Sequence, residues 1–148
     1  MDLVAINAAA TLFVSGEIDD WACVRERGID TIVDMDGNID PGIPEAPNQV
    51  LYVYWPILDE DLPSLPRLEA LGRLVADLVG TDHRVLVHCR LGFNRSVLVI
   101  ATALTHLGMN GEEALRHLRE LRPGALFNET FADHVRTLPA RRSRVETI

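Results

Sequence analysis

Val85-Leu86-Val87-His88-Cys89-Arg90-Leu91-Gly92-Phe93-Asn94-Arg95-Ser96-Val97-Leu98-Val99-Ile100 joins a short apolar strand to an apolar helix through a loop bounded by a cysteine and an arginine. The run 84–87 is too short for a helix and rich in β-branched residues, so it reads as a buried strand. From Ser96 to Leu107 nearly every helical face is apolar and no proline or glycine interrupts, which predicts a buried central helix ending at Gly108. A buried strand feeding directly into a buried helix is the unit of an α/β fold with a mostly parallel sheet.

The neighbouring segments fit that unit. Leu12-Phe13-Val14, Thr31-Ile32-Val33 and Val50 to Trp55 read as strands. Asp19-Asp20 opens a helix carrying Trp21, Cys23 and Val24, closed near Gly28. Residues 36–47 hold three prolines and two glycines, the composition of an irregular loop. Ser64 is placed to cap a helix with Leu68, Leu71, Val75, Leu78 and Val79 at helical spacing. Asn110-Gly111-Glu112-Glu113 resembles a capping box, followed by a stripe of Leu115, Leu118 and Leu121. A last helix from about Glu129 sets Phe131, Val135 and Leu138 on one side, and the tail 141–144 is expected to fray. The expected architecture is α/β: about five strands in a central mostly parallel sheet, flanked by helices.

With 148 residues, 47% of them hydrophobic and 24% charged, residues 1–148 read as a single globular domain. The net charge of −8 argues against nucleic-acid and anionic-membrane partners. All fourteen basic residues are arginine. The N-terminus lacks the positive stretch of a secretory signal, and the longest apolar run falls far short of the ~20 residues that span a bilayer. Two cysteines with no secretory signal point to a reducing cytoplasm. Cys23 reads as a small core hydrophobe.

Cys89 reads differently. Five residues separate it from Arg95, enough for the backbone N–H groups of Arg90, Leu91, Gly92, Phe93 and Asn94 to wrap the oxygens of a phosphoryl group. Gly92 permits a backbone turn that a Cβ would resist. The helix starting beside Ser96 turns its unsatisfied N–H groups to the same point, and Arg95 adds a planar fork for two phosphate oxygens. Thiols in such surroundings ionise readily, so Cys89 is expected to be a thiolate poised for in-line attack on phosphorus. The Ser96 hydroxyl is placed to steady that sulfur as a leaving group. His88 is expected to orient the loop. The remaining histidines show no ligand-like pairing, so neither a metal nor an organic cofactor is implied.

Expelling an alkoxide or phenoxide needs a proton donor. Asp59 and Asp61, in the loop before the Ser64 helix, are both candidates on chemistry alone, with Glu60 less suited. Mutual repulsion among these carboxylates would help keep one protonated.

His88, Cys89, Gly92, Arg95 and Ser96 match in full the His-Cys-x-x-Gly-x-x-Arg-Ser pattern, and the chain resembles the small dual-specificity phosphatases of the cysteine-based tyrosine phosphatase superfamily. Trp55-Pro56-x-x-Asp59 resembles the acid loop of several members, which favours Asp59 over Asp61. Asn128-x-x-Phe131 resembles a C-terminal pattern whose asparagine supports the active-site loop. The resemblance implies a tyrosine-phosphatase-like fold, hydrolysis of phosphorylated proteins through a phosphocysteine, and a cleft too shallow for strict phosphotyrosine specificity. Inositol phosphates or other small phosphomonoesters remain open as substrates, although the loop has no lysine to favour polyphosphorylated lipids. A rhodanese-like sulfurtransferase is disfavoured because its loop is shorter. A non-catalytic phosphate-binding module is disfavoured because cysteine and arginine are both retained. Sequence alone leaves the oligomeric state and any redox role of Cys23 open.

Overall fold

The computed structural model describes residues 1–141. Ten elements follow one another: β1 (Val4–Ala5), β2 (Leu12–Ser15), α1 (Trp21–Glu26), β3 (Thr31–Asp34), β4 (Leu51–Tyr54), α2 (Leu65–Gly80), β5 (Val85–His88), α3 (Arg95–His106), α4 (Gly111–Leu121) and α5 (Glu129–Arg136). The five strands form one sheet in the order β1-β2-β5-β3-β4. All pairings are parallel except β1 with β2. The short β1 is the one strand the sequence pattern did not foreshadow, because two residues carry no periodicity.

Register decides where chemistry can occur. Ser15, His88, Asp34 and Tyr54 lie side by side at the C-terminal ends of β2, β5, β3 and β4. In an open parallel sheet, ligands bind outside that edge, and Cys89 is the first residue past it on the central strand.

Residues 96–106 of α3 are buried throughout, as their all-round apolar character requires. The helix packs against α2, and the fit is close at Gly72. A Cβ there would lie 2.5 Å from Thr102 Cγ2, so only glycine lets the two helices approach this far. Ser64 Oγ caps α2 by accepting the Arg67 N–H at 3.4 Å. The capping box at Asn110 and Glu113 is present in both directions.

Four local expectations are corrected. Leu121 is 39% exposed, because α4 ends there and its stripe drifts off the core. Leu138 lies beyond α5 and is only half-buried, its carbonyl accepting the Gly111 N–H. Cys23 is half-buried rather than in the core; Val24 is the buried residue of α1. The Cys23 thiol sits 3.2 Å from Asp20, whose hydrogen bond pushes its pKa up. Arg141, expected to fray, bonds Glu69 on α2 and Thr105 on α3. Residues 142–144, the rest of that expected frayed tail, lie outside the described residues. Among the described residues no helix is long and apolar enough to cross a membrane.

Candidate active site

At the sheet edge the chain turns sharply between β5 and α3. Gly92 takes φ +74°, and a Cβ on it would lie 2.6 Å from the Ser15 carbonyl oxygen. The loop therefore needs glycine twice over, for its backbone angle and for its contact with the end of β2. Cys89 is buried at the loop's base. Its Sγ accepts the Gly92 N–H at 3.2 Å and lies 3.3 Å from Ser96 Oγ, in the first turn of α3. Arg95 reaches past the loop to the β4–α2 segment, with Nη1 3.5 Å from the Ile57 carbonyl and 3.6 Å from Asp36. Its Nε is buried and has no partner among the described residues, so it is a donor that could serve a ligand.

Asp59, Cys89, Arg90, Leu91, Phe93, Asn94, Arg95 and Phe127 line one small cavity of about 80 Å³. Drug-sized ligands fill pockets of roughly 300–1,000 Å³, so a cavity this small suits a compact group such as a phosphoryl. Its walls combine a sulfur, a guanidinium, backbone N–H groups and a carboxylate. That set can bind a tetrahedral anion, attack it and protonate what leaves. Asp61 is absent from this cavity and lines an adjoining acidic groove with Glu60 and Asn128. Asp59 lines both the groove and the cavity, and of the two carboxylates that chemistry left open it is the one that shares the cavity with Cys89.

The description "Dual specificity phosphatase, catalytic domain" matches residues 13–139. The chain belongs to the dual specificity phosphatase family. It is 32% identical over 115 residues to Protein phosphatase Slingshot homolog 3 of Mus musculus, covering 77% of this chain and 17% of that protein. It is 34% identical over 116 residues to Tyrosine-protein phosphatase yvh1 of Schizosaccharomyces pombe, covering 75% of this chain and 33% of that protein. The chain spans well under half the length of these curated relatives. Among solved structures, the Yvh1 phosphatase domain from Chaetomium thermophilum matches with a TM-score of 0.73 at 27% identity, covering 90% of this chain and 93% of that one.

In this dual specificity phosphatase domain Asn128, which the resemblance marked as a support of the active-site loop, and the Asn94 side chain, which the sequence did not announce, both hold the Asp59 loop. Asn94 Nδ2 donates to Asp59 Oδ2 at 2.9 Å, while Asn94 Oδ1 accepts the Asn128 N–H at 2.9 Å. Asn128 Nδ2 donates to Asp59 Oδ1 at 2.9 Å and to the Glu60 carbonyl at 3.1 Å. Asn94 was expected to contribute its backbone N–H; its side chain proves to be the bridge between the cysteine loop, the acid loop and α5. It stands at the N-cap of α3 but caps nothing, its amide being used elsewhere.

His88, expected to orient the loop through backbone hydrogen bonds, is anchored at the end of β5 by both backbone and side chain. Its carbonyl accepts the Met35 N–H, and its ring donates to Asp40 Oδ2 at 2.6 Å. Burial works against a charged imidazole here, but the Asp40 hydrogen bond and the charges of Asp40 and Asp34 outweigh it and raise the pKa. Burial likewise raises Asp34, against the hydrogen bond it accepts from Tyr52. Asp34, Asp40 and His88 could together offer ligand atoms to a metal, lying within 4.8 Å of one another. In this structure they form a hydrogen-bonded cluster, His88 bonding Asp40 and the Tyr52 hydroxyl bonding Asp34 and Asp40. Such a partner for His88 lay 48 residues away, in a loop whose sequence showed only prolines and glycines.

Proposed function

We propose that this chain is a cysteine-dependent phosphomonoester hydrolase acting on phosphorylated protein, as a tyrosine or dual-specificity phosphatase, with residues 1–148 forming one catalytic domain. The observation that carries the reading is the meeting of Cys89 Sγ, Arg95 and Asp59 around one phosphoryl-sized cavity. Arg95 and the loop N–H groups bind the phosphate. The Cys89 thiolate attacks phosphorus, forming the S–P bond as the P–O ester bond breaks, and Asp59 gives its proton to the departing oxygen. Water then attacks the phosphocysteine and loses its proton to Asp59. The S–P bond breaks, and Ser96 donates a hydrogen bond to the returning thiolate. The fixed N–H groups and the guanidinium carry the charge that builds on the phosphoryl oxygens, so the scheme needs no metal or organic cofactor. A thiolate nucleophile works only while reduced, which suits a cytoplasmic setting.

The substrate's carbon skeleton must lie outside an 80 Å³ cavity, on a rim that includes Leu91 and Phe127, 64% and 61% exposed. An apolar rim suits an aromatic or peptidic leaving group better than a polyphosphorylated ring. Relatives named as protein and tyrosine-protein phosphatases support the same choice. The test is hydrolysis of p-nitrophenyl phosphate and of phosphopeptides by the purified chain. Turnover should vanish in Cys89→Ser and Arg95→Ala. Thiosulfate sulfurtransfer without phosphate release would overturn the proposal.

A further inference from the structure

We propose that Arg122 is a positioning residue of the phosphate site: it holds two carbonyls of the cysteine loop outward, so that the N–H groups bonded to them face the anion. The proposal rests on the phosphatase reading above and adds a residue outside the loop to it.

The four successive carbonyls from Arg90 to Phe93 make the case. The Arg90 carbonyl accepts the Glu17 N–H at 3.0 Å, and the Phe93 carbonyl accepts the Leu126 N–H at 2.8 Å. Among the described residues, the two between them have no backbone donor. Arg122 supplies both bonds: Nε donates to the Gly92 carbonyl at 2.6 Å and Nη2 to the Leu91 carbonyl at 2.9 Å. No peptide here is cis, so each N–H points opposite to the carbonyl it shares a plane with. Four carbonyls turned out means that the N–H groups of Leu91, Gly92, Phe93 and Asn94 turn in. The Gly92 N–H confirms the direction by reaching Cys89 Sγ.

Arg122 is built for this position. It is 7% exposed, its guanidinium lies 4.4 Å from the centre of the Phe93 ring, and Nη2 also meets Asp2 at 2.7 Å. A planar fork with two parallel donors along one edge spans two successive carbonyls, which a lysine ammonium cannot do while stacked on a ring. Arg119 extends the brace, donating to the Ala125 and Leu126 carbonyls and so fixing the strand of chain whose N–H holds Phe93. Without Arg122, the peptides after Leu91 and Gly92 lose their outer anchors at the place where φ is already positive.

The experiment is vanadate inhibition of aryl phosphate hydrolysis in the full chain and in Arg122→Ala and Arg122→Lys, with folded protein quantified by thermal unfolding. Vanadate reads the inward N–H groups, and its inhibition constant does not depend on how much protein is folded. The expected result is an inhibition constant raised roughly ten- to a hundredfold in both variants, as for lost charge-assisted hydrogen bonds. Methylguanidine should restore affinity in Arg122→Ala, and methylamine should not. Should Arg122→Ala fail to fold, Arg122→Lys decides alone. An inhibition constant within twofold of the parent chain's, with only thermal stability lowered, overturns the positioning role and leaves the phosphatase reading intact. A parent chain that neither hydrolyses aryl phosphate nor binds vanadate overturns both.

Discussion

Asp59 and Asp61 are two residues apart in one acidic run, and only the first shares a cavity with Cys89. Asp59→Ala should therefore slow substrates with poor leaving groups, such as phosphoseryl peptides, about 10²- to 10⁴-fold. Activated p-nitrophenyl phosphate should suffer far less, and Asp61→Ala should behave like the parent on both. Comparing kcat across a leaving-group series checks this, and a leaving-group dependence appearing in the Asp61 variant would reassign the acid. Gly92 makes a second sharp case at this scale. Alanine there must adopt a positive φ and place Cβ against the Ser15 carbonyl. Gly92→Ala should cost at least about 1–3 kcal/mol, the range for a strained backbone residue, and should remove activity with it. Chemical denaturation beside a turnover assay reads both.

At the scale of elements, three chain segments meet at one carboxylate. The β4–α2 loop brings Asp59, the start of α3 brings Asn94, and the start of α5 brings Asn128. Each asparagine belongs to a helix N-terminus, so the helices' packing sets the position of the acid loop. Asn94→Ala and Asn128→Ala should each lower kcat for a phosphoseryl peptide roughly tenfold. Added to Asp59→Ala, either should change it less than about twofold, because groups acting through one residue are not additive. A double-mutant cycle in kcat makes that measurement, and full additivity would mean the asparagines act on something other than Asp59.

Across the whole molecule, the buried His88 cluster ties the 36–47 loop to the residue before Cys89. A histidine whose folded pKa is raised adds stability that is complete below its unfolded value near 6.5 and is lost as pH rises through the folded value. Burial lowers His106 and His134, which works in the opposite sense, their contribution being lost as pH falls below the unfolded value near 6.5. The parent's pH profile therefore mixes both, and the difference from Asp40→Asn isolates His88 with its neighbours Asp34 and Tyr52. That variant should lose about 2 kcal/mol near pH 6, as for a buried hydrogen bond to a charged partner, and progressively less toward pH 9. Thermal unfolding across that range tests it; a gap that widens with pH would reverse the assignment.

Much of this protein was readable from local chemistry. Periodicity located the helices and four strands, because burying an apolar face imposes a spacing that any reader of the chain can see. Cys89, Gly92, Arg95 and Ser96 were legible because the candidate phosphate loop is continuous in sequence, so their offsets are themselves the geometry. Arg122, Asn94's side-chain role, and the Asp40 partner of His88 were not. Each depends on contacts across 30 or more residues, and an arginine, an asparagine or an aspartate in a polar segment looks the same whether it faces solvent or braces a site. Sequence determined which residues are candidates for the chemistry; tertiary structure alone decided which atoms hold them still, since holding is a property of neighbours that only folding brings together.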